Sequence, residues 1–283
     1  MNVLFPATVE AAQDALRSAP DARVMAGGTD LLVKRRAGAS MPETLVCLEK
    51  VAGLAGIEEL DGRIRINAAT PMADILESGL IRERLPLLAG AAKVFASPLV
   101  RNMATLGGNV CTASPAADTL PPLHVLGAEV EIASVQGTRR MPIAEFITGP
   151  GKTALAPGEL LTAVTMPVPD GGAVQHFEKV GKRKAMAIAV VSMAALLRVE
   201  AGVIAEARLA WGSVGPTIIR CPEAEALFTG RAPTLETFRH AGKCVMRAVR
   251  PISDVRASAD YRRQVAANLL LRLAERSGPA AVC

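Results

Sequence analysis

The chain has 283 residues, half of them hydrophobic, and 32 Lys and Arg against 27 Asp and Glu give a formal charge of +5. At roughly 100–200 residues per domain this length predicts two domains with proper cores, and it excludes a disordered chain or a small cysteine-stapled scaffold. The longest apolar stretch, Ala185 to Leu197, is interrupted by Ser192 and falls short of the ~18–20 residues that cross a bilayer, so no membrane span is expected.

The opening residues, Met1 to Pro6, lack the basic start and apolar core of a secretory signal, which predicts a cytoplasmic protein. Thr8 caps a helix running through Leu16, Ala22 to Ala26 reads as a short strand, and Gly27-Gly28 breaks it. A short amphipathic helix follows, with Thr29 or Asp30 at its start, and Thr44 to Leu48 is a further strand. These elements form a first lobe over residues 1–57. A second, 58–170, opens with the alternating strand Arg63 to Asn67, continues with helices at Met72 to Leu80 and Leu85 to Phe95, and closes with strands at Ala128 to Ala133, Thr138 to Ile143 and Leu160 to Met166. The breaker Pro167 to Gly172 sets the domain boundary. Beyond it, in residues 171–283, Val174 to Val180, Ala187 to Val199 and Val203 to Trp211 predict an antiparallel sheet followed by helices. Tyr261, Val265, Leu269 and Leu273 place an apolar stripe on the last helix, read as core.

The positive charge is dispersed, and its one dense run, Lys34-Arg35-Arg36, reads as an exposed helical turn. With one Trp, one Tyr and six Phe, stacking platforms for nucleic acid are scarce, so no such partner is expected. Cys47, Cys111, Cys221, Cys244 and Cys283 lack the paired spacing of zinc or iron–sulfur sites, and His124, His176 and His240 are scattered, so no metal site is expected.

Two glycine segments carry the chemistry. Met25-Ala26-Gly27-Gly28-Thr29-Asp30-Leu31 joins a strand to a helix, a place where close backbone approach, exposed N–H groups and a helix start can receive a pyrophosphate. The second, Thr105-Leu106-Gly107-Gly108-Asn109, precedes Ser114 and Asp118, and together the two can hold both ends of one elongated ligand. Asp118 can accept from a ribose hydroxyl, and Phe95 and Leu161 can cover a flat ring. Gly149-Pro150-Gly151-Lys152-Thr153 imitates a nucleotide phosphate loop, but the required first glycine is Phe146 and the spacing fails. No Gly-x-Ser-x-Gly elbow occurs, and Cys111 has no adjacent base, so no catalytic nucleophile is assigned.

Taken together, the first glycine segment, Arg101-Asn102-Met103-Ala104-Thr105-Leu106-Gly107-Gly108-Asn109, Ala117-Asp118, Thr148 to Lys152 and the closing Tyr261-Arg262-Arg263 helix resemble the FAD-binding medium subunit of molybdenum hydroxylases over nearly the whole chain. The resemblance is to the xanthine dehydrogenase type, with carbon monoxide, nicotinate and aldehyde-oxidising relatives as alternatives. It implies an α+β fold: a two-lobed FAD-binding domain followed by a C-terminal domain of antiparallel sheet and helices. It implies FAD contacts at Met25 to Leu31, Phe95, Thr105 to Asn109, Asp118, Leu161 and Lys179. It also implies an electron-transfer role. A small subunit with two [2Fe–2S] clusters supplies the electrons, NAD or another acceptor removes them, and a large molybdopterin subunit hydroxylates the substrate, a purine such as xanthine or a related N-heterocycle, in a dimer of heterotrimers.

Two features depart from relatives: Ala187 stands where an acidic residue is common, and a cysteine-rich insertion seen in benzoyl-CoA-type reductases is missing after the second glycine loop. The competing readings are a flavin-free assembly adaptor and a stand-alone carbohydrate oxidase, the latter without a matched catalytic base or covalent-flavin histidine.

Overall fold

The computed structural model describes residues 1–277 and so leaves Cys283 outside the described residues. In chain order its first half contains β1 (Asn2–Leu4), α1 (Val9–Ser18), β2 (Arg23–Met25), α2 (Leu31–Arg36), β3 (Thr44–Cys47), β4 (Ile57–Leu60), β5 (Arg63–Asn67), α3 (Met72–Glu77), α4 (Gly79–Arg84), α5 (Pro86–Lys93), α6 (Pro98–Arg101), α7 (Leu106–Thr112) and α8 (Leu120–Val125). Then come β6 (Glu129–Ser134), β7 (Gly137–Pro142), α9 (Ile143–Phe146), β8 (Ile147–Gly149), β9 (Lys152–Thr153) and β10 (Leu160–Pro167). The remainder forms β11 (Val174–Val180), β12 (Val191–Glu200), β13 (Val203–Gly212), β14 (Ile219–Arg220), α10 (Pro222–Phe228), α11 (Leu235–Ala248) and α12 (Ala259–Ser277).

These elements gather into two compact units that are discontinuous in sequence. The first comprises residues 1–78, 97–113 and 127–167; the second comprises 79–96, 114–126 and 168 onward.

Within the first unit, β3 runs between β1 and β2 in a three-stranded parallel sheet. Thr8 caps α1 as expected, its hydroxyl accepting from the Ala11 N–H at 3.1 Å, and Ala12 of that helix packs on Val46 of β3 with Leu48 and Leu54. A five-stranded antiparallel sheet follows the order β4-β5-β10-β6-β7. The alternation read in Arg63 to Asn67 is real: Ile64 and Ile66 are fully buried, Arg63, Arg65 and Asn67 alternate with them on the half-buried face, and Arg65 pairs with Glu131 at 2.7 Å. The glycine sequence at residues 149–153 lies in the β8–β9 hairpin, with Gly151 at φ +68° and Lys152 exposed, rather than in a strand–loop–helix phosphate site.

The second unit is built on the antiparallel sheet β11-β12-β13-β14, with the predicted order of its first three strands. One face of it buries Trp211, whose indole N–H donates to the Ala266 carbonyl at 3.0 Å, and the Phe228 and Phe238 rings, which meet at 4.8 Å.

Four expectations are corrected. The helix expected through Leu80 breaks at Ser78, whose extended backbone (φ −60°, ψ 120°) separates α3 from α4. The strand expected from Ala187 begins only at Val191, because Met186 sits in the left-handed region at φ +53° and residues 187–190 belong to a loop. On α12, Leu269 and Leu273 are buried but Tyr261 is half exposed, and the fully buried residue at that end is Arg262. A strict four-residue spacing overruns the 3.6-residue turn, so the stripe drifts off the packed face. Finally, the second glycine segment is helical, as described next.

Candidate functional site

In the first unit, β2 ends at Met25 and the chain turns through Gly27 and Gly28 into α2. Gly28 has φ +70°, open to glycine at little cost. Gly27 is required for a different reason. A Cβ there would lie 1.6 Å from the Met103 carbonyl oxygen, so the loop is pressed directly against the backbone that leads into the second glycine segment. The N–H groups of Gly27, Gly28, Thr29, Asp30 and Leu31 donate to no protein acceptor among the described residues. A consecutive run of free amides of this kind can receive an anion. Because α2 has only six residues, these amides rather than a long helix dipole provide the attraction. Asp30 pairs with Lys34 at 2.6 Å, which offsets its charge beside the amides, and it also reaches the Thr112 hydroxyl at 3.5 Å.

The second glycine segment opens α7. Thr105 is its N-cap, with the hydroxyl accepting from the Gly108 N–H at 3.0 Å. Unlike those of the first loop, its amides are taken: Leu106 donates to the Thr70 carbonyl, Gly107 to Ala68 and Asn109 to Thr105. The glycines here allow close packing. A Cβ on Gly107 would meet the Ala68 carbonyl and Cβ at 2.7 Å, and one on Gly108 would meet the Thr105 hydroxyl at 2.9 Å. Leu161, on β10 beside a bulge, is only 3% exposed, so its side chain is largely enclosed within the first unit. The Cys111 thiol is pushed up to about 12 by burial, which leaves it protonated and non-nucleophilic.

In the second unit, Asp118 and Lys179 form a buried ion pair at 2.6 Å, their side chains 8% and 7% exposed. Lys179 also donates to the Val94 carbonyl at 3.2 Å, next to the half-buried Phe95. Asp118 does not cap α8, whose N-cap is Thr119. Burial pushes the Asp118 carboxyl up to about 6 against the pull of Lys179. Its second oxygen, Oδ1, is buried and has no hydrogen-bond partner among the described residues, although it retains full accepting capacity. Lys179 is therefore no solvated strand lysine, and an orphaned carboxylate oxygen awaits a donor from outside the chain.

The first unit thus carries free amides at residues 27–31 that suit an anion, and the second unit, taken by itself, carries a buried acceptor at Asp118 Oδ1 that suits a hydroxyl or N–H donor. These features fit FAD, which carries a pyrophosphate and sugar hydroxyls. The family model described as FAD binding domain in molybdopterin dehydrogenase matches residues 1–169, and the CO dehydrogenase flavoprotein C-terminal domain matches 176–277. The chain belongs to this family, the FAD-binding subunits of molybdenum hydroxylases, which are subunits of oxidoreductases. It is 37% identical over 259 residues to a xanthine dehydrogenase FAD-binding subunit of Escherichia coli O157:H7, covering 90% of this chain and 88% of that one. It is 32% identical to the carbon monoxide dehydrogenase medium chain of Afipia carboxidovorans, covering 91% and 89%. Among solved structures, a carbon monoxide dehydrogenase from Hydrogenophaga pseudoflava that lacks the Mo-pyranopterin moiety superposes with a TM-score of 0.95 at 29% identity, over 100% of this chain and 98% of that one. No helix among the described residues is long and apolar enough to cross a membrane.

Proposed function

We propose that this chain is the FAD-containing electron-transfer subunit of a heteromeric molybdenum hydroxylase, receiving electrons from [2Fe–2S] clusters on a small subunit and passing them to NAD or another acceptor. A molybdopterin-binding large subunit completes the complex, a dimer of heterotrimers in the cytoplasm, and the substrate is a purine such as xanthine or a related N-heterocycle. The observation that carries the reading is the run of five unpartnered amides at residues 27–31, clamped by the contact of Gly27 with the Met103 carbonyl. The similarity to a xanthine dehydrogenase FAD-binding subunit supports the substrate class. The free thiols of Cys47, Cys111, Cys221 and Cys244 suit a reducing compartment. As sequence modules we propose 1–170, with lobes 1–57 and 58–170, and 171–283, supported by the family matches to 1–169 and 176–277.

When bound, FAD supplies exchange between one-electron and two-electron carriers. The chain's own residues bind and orient it. Met25 and Ala26 lead the backbone to the pyrophosphate, which the amides of Gly27 to Leu31 hold. Thr105 to Asn109 keep that loop in place by packing and capping, Asp118 accepts from a ligand hydroxyl or N–H through Oδ1, and Lys179 fixes the carboxylate through Oδ2. Half-buried Phe95 offers apolar surface to the ring, whereas the expected cover from Leu161 is not available, because its side chain is only 3% exposed.

The test is recovery of the tagged chain from its own host, followed by an absorption spectrum, iron and molybdenum analysis, and NAD reduction with purines, nicotinate, aldehydes and carbon monoxide as substrates. Flavin with both metals and purine-dependent NADH is the expected result. A folded chain that neither retains nor regains FAD on titration would refute the proposal.

A further inference from the structure

Where β14 ends at Arg220 the chain turns through Cys221 into α10, and the end of α11 lies against that turn. The two segments enclose an open cavity of about 290 Å³, near the lower limit for small-molecule sites. Arg220, Arg247 and Arg250 line it, together with the small side chains of Cys221, Pro222 and Ala248. All of these belong to the second unit, and none is among the residues assigned to the flavin.

The acids nearby offset the three cations unequally. Arg220 is balanced: it donates to both Glu225 oxygens, at 2.9 and 2.7 Å, and Glu225 is fixed in turn by the Leu209 N–H at 2.8 Å. Arg247 is not. Glu223 stands 3.8 Å from it, too far for a hydrogen bond, and that side chain is 76% exposed and can swing into water. The bond Arg247 does make is to a weak acceptor, Cys244 Sγ, at 3.2 Å. Arg250 has no carboxylate partner among the described residues. Its Nη1 donates to the carbonyls of Arg247 and, at 2.9 Å, Val249, and its backbone N–H donates to the Val214 carbonyl at 2.8 Å. These bonds hold its guanidinium at the carbonyl end of α11 and leave Nε and Nη2 unpartnered among the described residues. The surplus positive field extends to His124, whose ring is held down to about 4 by burial and, after it, by Arg220.

We propose that this cavity binds a phosphate dianion, either free phosphate or the phosphomonoester of a small molecule. The donors choose the ligand. Guanidinium groups present planar forks of N–H that match phosphate oxygens, and a dianion engages Arg247 and Arg250 together where a chloride or a single carboxylate neutralises only one of them. The lining excludes larger occupants, since it has no aromatic side chain to stack a base and little apolar surface to hold an acyl chain. With the arginines open to solvent the affinity is modest, with half-saturation at about 1 mM.

The experiment is thermal melting and calorimetric titration of the chain with saturating FAD, at about pH 8, where phosphate is a dianion, and at constant ionic strength. The probes are inorganic phosphate, glycerol phosphate, acetate and chloride. The variants are Arg247→Gln, Arg247→Glu and, as a control for charge alone, Lys243→Glu, an exposed residue one turn earlier on α11 and outside the cavity. The Arg247 side chain is 68% exposed, so its replacement leaves the core untouched, and an unchanged melting temperature in chloride reports a folded variant. The expected result is saturable phosphate binding in the wild type and Lys243→Glu, about tenfold weaker in Arg247→Gln and lost in Arg247→Glu. Tighter binding of glycerol phosphate than of inorganic phosphate would assign the site to a phosphomonoester, and equal or weaker binding to the free ion. No saturable response beyond that of chloride and acetate would overturn the proposal. So would equal phosphate binding in all variants, which would place the ion elsewhere on the chain. Either failure leaves the flavin reading standing, because it uses none of these residues.

Discussion

Replacing Gly27 by alanine tests the central geometric claim with a single methyl group. The added Cβ would stand 1.6 Å from the Met103 carbonyl oxygen and 2.4 Å from its carbon, with the Ala104 nitrogen at 3.1 Å. An ordinary contact with that oxygen needs a little over 3 Å, so the two backbones must separate by about 1.5 Å, and no flexible side chain is available to absorb the shift. Overpacking of this kind costs about 3 kcal/mol, at the upper end of the usual range. For a chain of this size that lowers the melting temperature by about 6–10 °C. The same displacement moves the amides of residues 27–31, which the proposed function assigns to the pyrophosphate, and an error of about 1 Å in a positioned site is enough for a hundredfold loss. Gly28 provides the contrast. Its φ of +70° disfavours a side chain, but the nearest obstacle is the end of Leu32 at 3.2 Å, which can move. Gly28→Ala should therefore cost about 1–2 kcal/mol and weaken FAD modestly, whereas Gly28→Val, branched at a left-handed position, should abolish binding. Flavin-fluorescence titration and thermal melts of the three variants provide the assay. Wild-type FAD affinity and stability in Gly27→Ala would refute the clamp.

The Asp118–Lys179 pair gives two further predictions. Lys179→Met strands a buried carboxylate and should destabilise the chain by about 3–5 kcal/mol, with Asp118→Asn added in the same chain restoring most of the loss in urea melts; no restoration would mean that Lys179 acts through some other contact. Because the Asp118 carboxyl is pushed up to about 6 from 3.8, the folded apo-chain keeps this proton between about pH 4 and 6 while the unfolded chain releases it. The carboxyl's contribution to stability is thus complete below about pH 4 and falls as pH rises to about 6, by on the order of 3 kcal/mol. His124, held down to about 4 by burial and by Arg220, acts in the opposite direction across the same range. The stability difference between wild type and Asp118→Asn isolates the carboxyl, and a difference that stays flat from pH 4 to 7 would contradict the assignment. Arg262, only 2% exposed, donates to the Val190 and Ser213 carbonyls and to Asp254, so Arg262→Met should cost about 3 kcal/mol by leaving the two carbonyls unpaired, while Asp254 keeps Arg256. A urea midpoint within experimental error of wild type would show that water replaces those bonds freely.

Legibility in the sequence followed the range of the interactions concerned. Thr8 as a cap, the alternation of Arg63 to Asn67, the three sheet strands after residue 173 and the strand–glycine–helix turn at Gly27 all depend on neighbours a few residues away. The helix at Leu106 was hidden because two glycines, poor helix formers, occupy its first turn; the reason for Gly107 is the Ala68 backbone almost forty residues earlier, and that for Gly108 is the capping Thr105 hydroxyl. The ion pair of Asp118 with Lys179 joins residues 61 apart, and nothing in β11 marks that lysine as buried. Arg262 contradicts the usual composition of a core because its charge is met by distant carbonyls and Asp254, a solution visible only in three dimensions. Family resemblance named the candidate ligand residues, but it did not say that the two glycine segments differ, one with free amides and the other closely packed.

The discontinuity of the two compact units bears on how the chain is made. Helices α5 and α8 lie within the first 125 residues, yet they pack against β11 and β13, which end at residues 180 and 212. During synthesis at about 5–20 residues per second, these helices wait several seconds with Leu87, Leu88, Leu120 and Leu123, all nearly inaccessible in the finished unit, lacking the strands that will cover them. A nascent chain halted near residue 170 would hold the complete first unit and also two orphaned apolar helices. The order of the chain thus leaves those two apolar helices uncovered until β11 and β13 are made.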